Sequence, residues 1–138
     1  MKLAIENGRL GQVIDLLFSL PLKGKKSRHR TRLQLALEAR LKEVAEQEHQ
    51  LRKEHCHLDE KGEPKLKDEG KRWDVKDIDA FIKDKTELYE EEMVIEGADN
   101  HGMLKTVKDV LDNCEMEWSG QEAVTYNYIC EQLEGGEK

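Results

Sequence analysis

The longest helical pattern in the chain runs from Arg28 to about His55. Its apolar positions follow one another by steps of four and three, which is the coiled-coil period of helices that pack along a narrow seam. Two of the six seam positions are polar, so this helix is predicted to need a partner. The six positions are Leu37, Leu41, Val44, Glu48, Leu51 and His55.

A second amphipathic segment, from Val75 to about Met93, provides that partner. Apolar and aromatic residues share one of its faces, and Asp74 or Asp77 is placed to cap its first turn. Because the link between the two segments is short and folds back, we predict an antiparallel helical hairpin over residues 28–93.

The link, residues 57–74, contains two turn signals, Glu60-Lys61-Gly62 and Asp68-Glu69-Gly70. The segments Pro64–Lys67 and Lys71–Trp73 predict a small β-hairpin around the second of them. We therefore expect a β-hairpin at the tip of the helical hairpin, with little core beneath it.

Before the hairpin, the pattern predicts a short strand and a short helix. Lys2-Leu3-Ala4-Ile5 has the alternation of a short strand, and the apolar residues of Leu10–Leu20 recur at helical spacing until Pro21 stops the helix. Leu22–Arg32 is interpreted as a basic connector, in which Ser27 caps the following helix.

The C-terminal part, residues 94–138, is predicted to form a strand and two helices. The strand is Met93-Val94-Ile95, Ala98–Gly102 is a loop, and Leu104–Leu111 is a short helix. A capping pattern at Ser119–Glu122 begins a final amphipathic helix.

Charge dominates the composition: charged residues make up 38% of the 138 residues and apolar residues 37%. Such a chain buries only a thin core, which favours elongated helices. The predicted fold is mainly α with minor β, in a single domain of residues 1–138. The net charge of −7 disfavours nucleic acid as a partner. We expect no membrane partner, because no apolar run approaches the roughly 20 residues that cross a bilayer.

His55-Cys56-His57 is the strongest metal-binding signal, since imidazole and thiolate both bind zinc. Neighbouring side chains on a helix point about 100° apart, however, and a fourth ligand would have to come from far along the chain. No nucleophile elbow, phosphate loop or zinc-protease pattern is present. The sequence therefore predicts no metal, no cofactor and no catalytic residue.

A basic segment is the first candidate surface for contact with a partner. It is suited to phosphate groups or to an acidic protein surface, although it lacks the interleaved aromatic residues that stack on bases. Pairing with nearby glutamates is the alternative. Its candidate residues are Lys23, Lys25, Lys26, Arg28 and Arg30.

An acidic run and a tryptophan are the other candidates. The run either solvates a helix or imitates nucleic acid, and Trp73, on the predicted tip, is suited to a protein interface. The acidic candidates are Glu87, Glu90, Glu91 and Glu92.

Several stretches resemble a family of small phage-encoded proteins of uncharacterised function from phages and prophages of Gram-positive bacteria. The likeness lies in Met1-Lys2-Leu3, in Leu22–Lys25 running into Ser27-Arg28 and a charged helix, and in the turn Asp59–Pro64. The helical segment Val107–Asn113 and a closing helix from Ser119 to Glu134 also match in outline. The resemblance implies a phage origin and a place in the host cytoplasm or the virion, and it brings no catalytic residues.

We therefore predict a non-enzymatic phage accessory protein that binds another protein, in virion or tail assembly or in host takeover, with a homo-oligomer as a further possibility. Two alternatives stay open. One is an inhibitor of a host defence nuclease, such as an anti-CRISPR, which uses the acidic residues to imitate nucleic acid. The other is a nucleic-acid binder that uses residues 23–32.

Overall fold

The computed structural model describes residues 1–135 and is mainly α-helical with minor β, which confirms the predicted fold class. A 3-10 turn, Asn7–Arg9, follows the first strand. The helices are α1 (Leu10–Phe18), α2 (Gly24–His55), α3 (Ile78–Glu90), α4 (Ala98–Asp112) and α5 (Gly120–Gly135), and the strands are β1 (Lys2–Glu6), β2 (Leu66–Lys67), β3 (Arg72–Trp73) and β4 (Glu92–Glu96).

The chain divides into two compact units. Unit 1 comprises residues 1–41 and 92 onward, and unit 2 comprises residues 42–91, so the boundary falls within α2. The assignment of residues 1–138 to a single domain stays a prediction. None of the described helices combines the length and the apolar character needed to cross a membrane.

Unit 1 has a buried apolar core beneath a two-stranded sheet. Strands β1 and β4 pair antiparallel, with Leu3 opposite Ile95, which confirms the strands predicted at both places. Leu3 and Ile5, at alternate positions of β1, are fully buried, as expected when one face of a strand covers a core. Helices α1, α4 and α5 contribute Leu10, Val13, Leu17, Leu104, Leu111, Ile129 and Leu133.

Two segments of unit 1 that are predicted as loops are helical. Helix α2 begins at Gly24, so most of the connector Leu22–Arg32 is helix, and Ser27 lies inside it instead of capping it. Helix α4 begins at Ala98, so the predicted loop Ala98–Gly102 forms its first turn. Both predictions were wrong for the same reason: these first turns are polar and show no apolar periodicity.

The side chain of Arg30 shows what holds the start of α2. Its Nη1 donates hydrogen bonds of 2.8 Å to the carbonyls of Leu17 and Leu20, at the C-terminal end of α1. Carbonyls at a helix C-terminus carry partial negative charge, which a guanidinium complements. This contact holds the start of α2 against the end of α1, and the apolar pattern of the sequence does not predict it.

Unit 2 is an antiparallel hairpin formed by the second half of α2 and by α3. Glu48 contacts Tyr89, whereas His55, later in α2, contacts Phe81 and Asp84, earlier in α3. The two helices therefore run in opposite directions. Of the predicted seam, Leu37 is buried within unit 1 instead, and Leu41 is 36% exposed.

The ends of the hairpin follow local signals. Asp77 caps α3, since its carboxylate accepts a hydrogen bond from the backbone N–H of Ala80. The predicted β-hairpin at the tip is present, with Leu66 opposite Trp73. Its turn holds Asp68 and Glu69 at φ angles of 54° and 60°, the left-handed region that costs a non-glycine residue about 1 kcal/mol.

Candidate functional site

An acidic groove of about 430 Å³ lies in the helical hairpin of unit 2. Four carboxylates, two amides and two leucines line it, and no Lys or Arg does so among the described residues. The carboxylates belong to Glu54, Asp84, Glu87 and Glu91, and the leucines are Leu51 and Leu88.

The same spacing on both helices builds the groove. Gln47, Gln50, Leu51 and Glu54 of α2 and Asp84, Glu87, Leu88 and Glu91 at α3 each stand at positions i, i+3, i+4 and i+7. Residues at this spacing share one face of a helix. Each helix thus presents a stripe with a leucine at its centre and a carboxylate at its end.

The charge of the groove is largely uncompensated. Unit 2 carries 16 acidic and 11 basic residues, a formal charge of −5. Within residues 1–135, the carboxylates of Glu54, Glu87 and Glu91 have no basic partner, and that of Asp84 is paired with His55. A concave surface of one sign of charge concentrates ions and groups of the opposite sign.

A polar clamp holds the two helices together. Tyr89 Oη donates a hydrogen bond of 2.7 Å to Glu48 Oε2, and Lys85 Nζ lies 3.1 Å from Glu48 Oε1. Arg52 Nη1 lies 3.6 Å from the same oxygen. We call these four residues the Glu48 clamp.

The clamp changes the ionisation of its members. Partial burial raises the pKa of Glu48, but the hydrogen bonds from Tyr89 and Lys85 and the charges of Lys85 and Arg52 outweigh burial, so its pKa lies below the ordinary 4.5. Burial first, and then the bond to Glu48, raise the pKa of Tyr89 to about 12. Glu48 is therefore ionised and Tyr89 neutral at physiological pH.

The structure places the four residues of the predicted acidic run in three different surroundings. Glu87 and Glu91 line the groove, while Glu90 is exposed and is not among the lining residues. Glu92 lies on β4 in unit 1. The four residues thus do not form one helix face.

Glu54 and Asp84 are groove residues that the sequence analysis missed. They are separated along the chain and come together only through the register of the hairpin. The signal that could have found them is the i, i+3, i+4, i+7 pattern of mixed Leu, Gln and Glu, which is present on both segments.

Trp73 is partly covered by its own hairpin. The guanidinium of Arg52 stacks over its ring at 4.8 Å, and the side chain stays 39% exposed. It therefore packs against the end of the clamp and still offers an aromatic edge to solvent.

Four of the five basic candidates are exposed, and the fifth is held by a structural contact. Lys23, Lys25, Lys26 and Arg28 are exposed around the first turns of α2, where the described helix has no acidic residue. Arg30 is held by α1 and has a structural role. The predicted basic contact surface therefore keeps four exposed cationic side chains.

The side chains of His55, Cys56 and His57 lie in three different surroundings. Nε2 of His55 lies 2.6 Å from Asp84 Oδ2, Cys56 is fully buried in a bridge with Val75, and His57 is exposed. Burial raises the pKa of the Cys56 thiol, so the reactive and metal-binding thiolate is disfavoured.

Fold and groove together define a small, mainly α-helical protein with an acidic helical hairpin. The chain belongs to the DUF1617 family, described as a protein of unknown function, whose profile matches residues 1–138. This confirms the predicted membership of an uncharacterised family, and the phage origin stays a prediction. No curated protein and no solved structure matches the chain.

Proposed function

We propose that this protein is a non-enzymatic phage accessory protein whose acidic groove binds a basic segment of a protein partner. The observation that supports this most strongly is the composition of the groove: four carboxylates around two leucines, with no cation among the described lining residues. Such a surface suits a segment that alternates Lys or Arg with apolar side chains.

An amphipathic helix is the form of segment that the groove fits best. The half-buried Leu51, beside the buried Leu88, offers an apolar contact, and Glu54, Glu87 and Glu91 offer charges around it. This is the arrangement of helix-in-groove recognition, in which apolar anchors repeat at i, i+3, i+4 and i+7. Each exposed ion pair contributes about 0.2–1 kcal/mol, so several pairs and the apolar contact act together.

Our proposal assigns binding to the groove and no catalytic step. Its described lining contains Gln, Leu, Glu and Asp, so carboxylates are the nucleophilic groups present there and no Ser, Cys or Lys accompanies them. The biological setting, in virion or tail assembly or in host takeover, follows from the resemblance to phage proteins.

Affinity capture with matched variants tests the proposal. Tagged protein is expressed during infection, and bound proteins are identified by mass spectrometry beside the proteins of purified virions. We expect wild type to capture a partner with a Lys- or Arg-rich amphipathic segment, and Glu87→Lys combined with Glu91→Lys to lose it. The control, Glu60→Lys combined with Glu90→Lys, makes the same change in net charge at exposed positions of unit 2 outside the groove.

The two variants also separate this proposal from nucleic-acid mimicry. Capture that survives the control but not the groove variant supports a basic segment in the groove. Equal loss in both would favour a decoy that depends on the total negative charge. Retention of the partner by the groove variant would refute the proposed site.

A further inference from the structure

We propose that Glu54, His55 and Asp84 form a binding site for a divalent transition-metal ion in unit 2. One ring nitrogen of His55 and one carboxylate oxygen from each of the other two residues all lie within 4.8 Å of one another. The proposal concerns the isolated protein and does not require the partner proposed above.

The spacing of the three ligand atoms is close to that of a metal site. An ion bound at about 2.0–2.2 Å by imidazole and carboxylate holds its ligand atoms about 3–4 Å apart. His55 Nε2 and Asp84 Oδ2 lie 2.6 Å apart in a hydrogen bond, which an ion bound to both atoms would replace with a slightly wider separation. Glu54 is exposed, and its carboxylate lies within 4.8 Å of the other two ligand atoms.

The central ligand is held in place by packing. The side chain of His55 is 17% exposed, and its ring meets Phe81 edge to face at 5.8 Å. Its carbonyl accepts a hydrogen bond of 2.8 Å from the backbone N–H of Lys76, which fixes the end of α2. A ligand that is already oriented loses little freedom when the ion binds.

The ligand set indicates the class of ion. One imidazole nitrogen and two carboxylate oxygens suit Zn²⁺ and its first-row neighbours, whereas Mg²⁺ and Ca²⁺ prefer all-oxygen ligands. Three protein ligands leave a further position for water or for a group from a partner. Glu54 and Asp84 also line the acidic groove, so the ion would offset part of the charge that attracts a basic segment.

Calorimetric titration of the metal-free, reduced protein with ZnCl₂ tests the site. We expect one ion per chain, and a loss of affinity of about 100-fold or more in His55→Ala, because changes that only touch the surroundings of a metal site already cost about 10–100-fold. His57→Ala, the neighbouring exposed histidine, is the matched control and should bind like wild type.

Two further variants cover folding and the cysteines. Glu54→Gln removes a charged ligand at an exposed position and should weaken binding by at least about 10-fold without disturbing the fold. Cys114→Ser combined with Cys130→Ser should leave binding unchanged. Absence of zinc binding, wild-type binding in both His55→Ala and Glu54→Gln, or loss of binding in the cysteine variant would overturn the site. These outcomes test the metal site alone, because the partner proposal is tested separately by Glu87→Lys combined with Glu91→Lys, two groove residues that are not among the three ligands.

Discussion

Different interactions stabilise the interior of each of the two units. Among the described residues, unit 1 buries eighteen apolar side chains and unit 2 buries five. The five are Val44, Cys56, Pro64, Phe81 and Leu88. Unit 2 is also stabilised by polar interactions: the Glu48 clamp, the His55–Asp84 pair and the capping of α3 by Asp77.

This difference assigns the two units different roles. Burial of apolar surface contributes about 25 cal/mol per Å² and depends little on salt, whereas a hydrogen bond to a charged group contributes about 1.5–3 kcal/mol and depends on ionisation. Unit 1 is therefore the stable scaffold. Unit 2 has a smaller apolar core and a polar seam, and its carboxylate-rich groove is the surface that we propose for binding.

The largest expected effect lies in the core of unit 1. Leu104 is fully buried, so Leu104→Ala should lower the free energy of unfolding by about 2–5 kcal/mol, from lost burial and the cavity left behind. Guanidinium denaturation measures it. Leu35→Ala, at a position that is 58% exposed, is the matched control and should change stability by no more than about 0.5 kcal/mol. Both leucines lie in unit 1, so equal effects would show that burial of apolar side chains does not determine the stability of this unit.

The next effect is local to unit 2. Glu48→Gln takes away the charge that Tyr89, Lys85 and Arg52 share, and should lower the free energy of local opening by about 1.5–3 kcal/mol. Native-state hydrogen exchange should show faster exchange in α3 and in the second half of α2, with α1 unchanged. Glu46→Gln, an exposed change of the same kind on α2, should leave both rates alone. Equal acceleration in α1 would contradict a clamp that acts within unit 2.

The pH dependence of unit 2 follows from the same clamp. Because the pKa of Glu48 is lowered on folding, its contribution is present above the ordinary value of 4.5 and is lost as pH falls through the folded value. Because the pKa of Tyr89 is raised to about 12, its contribution is present below 10 and is lost as pH rises from 10 to 12.

The two tryptophans allow these losses to be measured unit by unit. Trp73 stacks with Arg52 in unit 2, and Trp118 stacks with Tyr126 in unit 1 at 5.6 Å. In the Trp118→Phe variant, the fluorescence of Trp73 should report that unit 2 loses stability below pH 4.5. Adding Glu48→Gln should make this change of fluorescence with pH smaller. If the fluorescence change at low pH is the same with and without Glu48, other carboxylates cause it.

The smallest effect is at the tip of the hairpin. Glu69 has a left-handed backbone, so Glu69→Gly should stabilise the tip by about 0.5–1 kcal/mol through relief of strain. Lys71→Gly, in the same turn but not in the left-handed region, should be neutral or destabilising. Hydrogen exchange of β2 and β3 measures both, and a stabilisation by Lys71→Gly as large as that by Glu69→Gly would argue against strain as the cause.

The sequence predicts the helical hairpin and its tip because both depend on local signals. The seam from Val44 onward, the cap at Asp77 and the turn at Asp68–Gly70 each specify their own conformation. The first turns of α2 and α4 were missed, since contacts such as those of Arg30 with Leu17 and Leu20 stabilise polar turns from outside their own segments.

Part of the acidic groove could be predicted from the sequence. Glu87 and Glu91 stand out as part of a charge run, but their pairing with Glu54 and Asp84 depends on the register between the helices. A seam with polar positions such as Glu48 and His55 specifies that register through particular hydrogen bonds, which apolar periodicity does not encode.

The most direct test of the acidic groove is an NMR titration of the backbone amides with a synthetic helical peptide. The peptide carries leucines and lysines at the i, i+3, i+4, i+7 spacing that the groove presents. We expect shifts confined to residues 47–54 and 84–91, weakened by salt and absent in Glu87→Lys combined with Glu91→Lys. Shifts centred on unit 1, or no shifts at low salt, would contradict a binding surface in the hairpin.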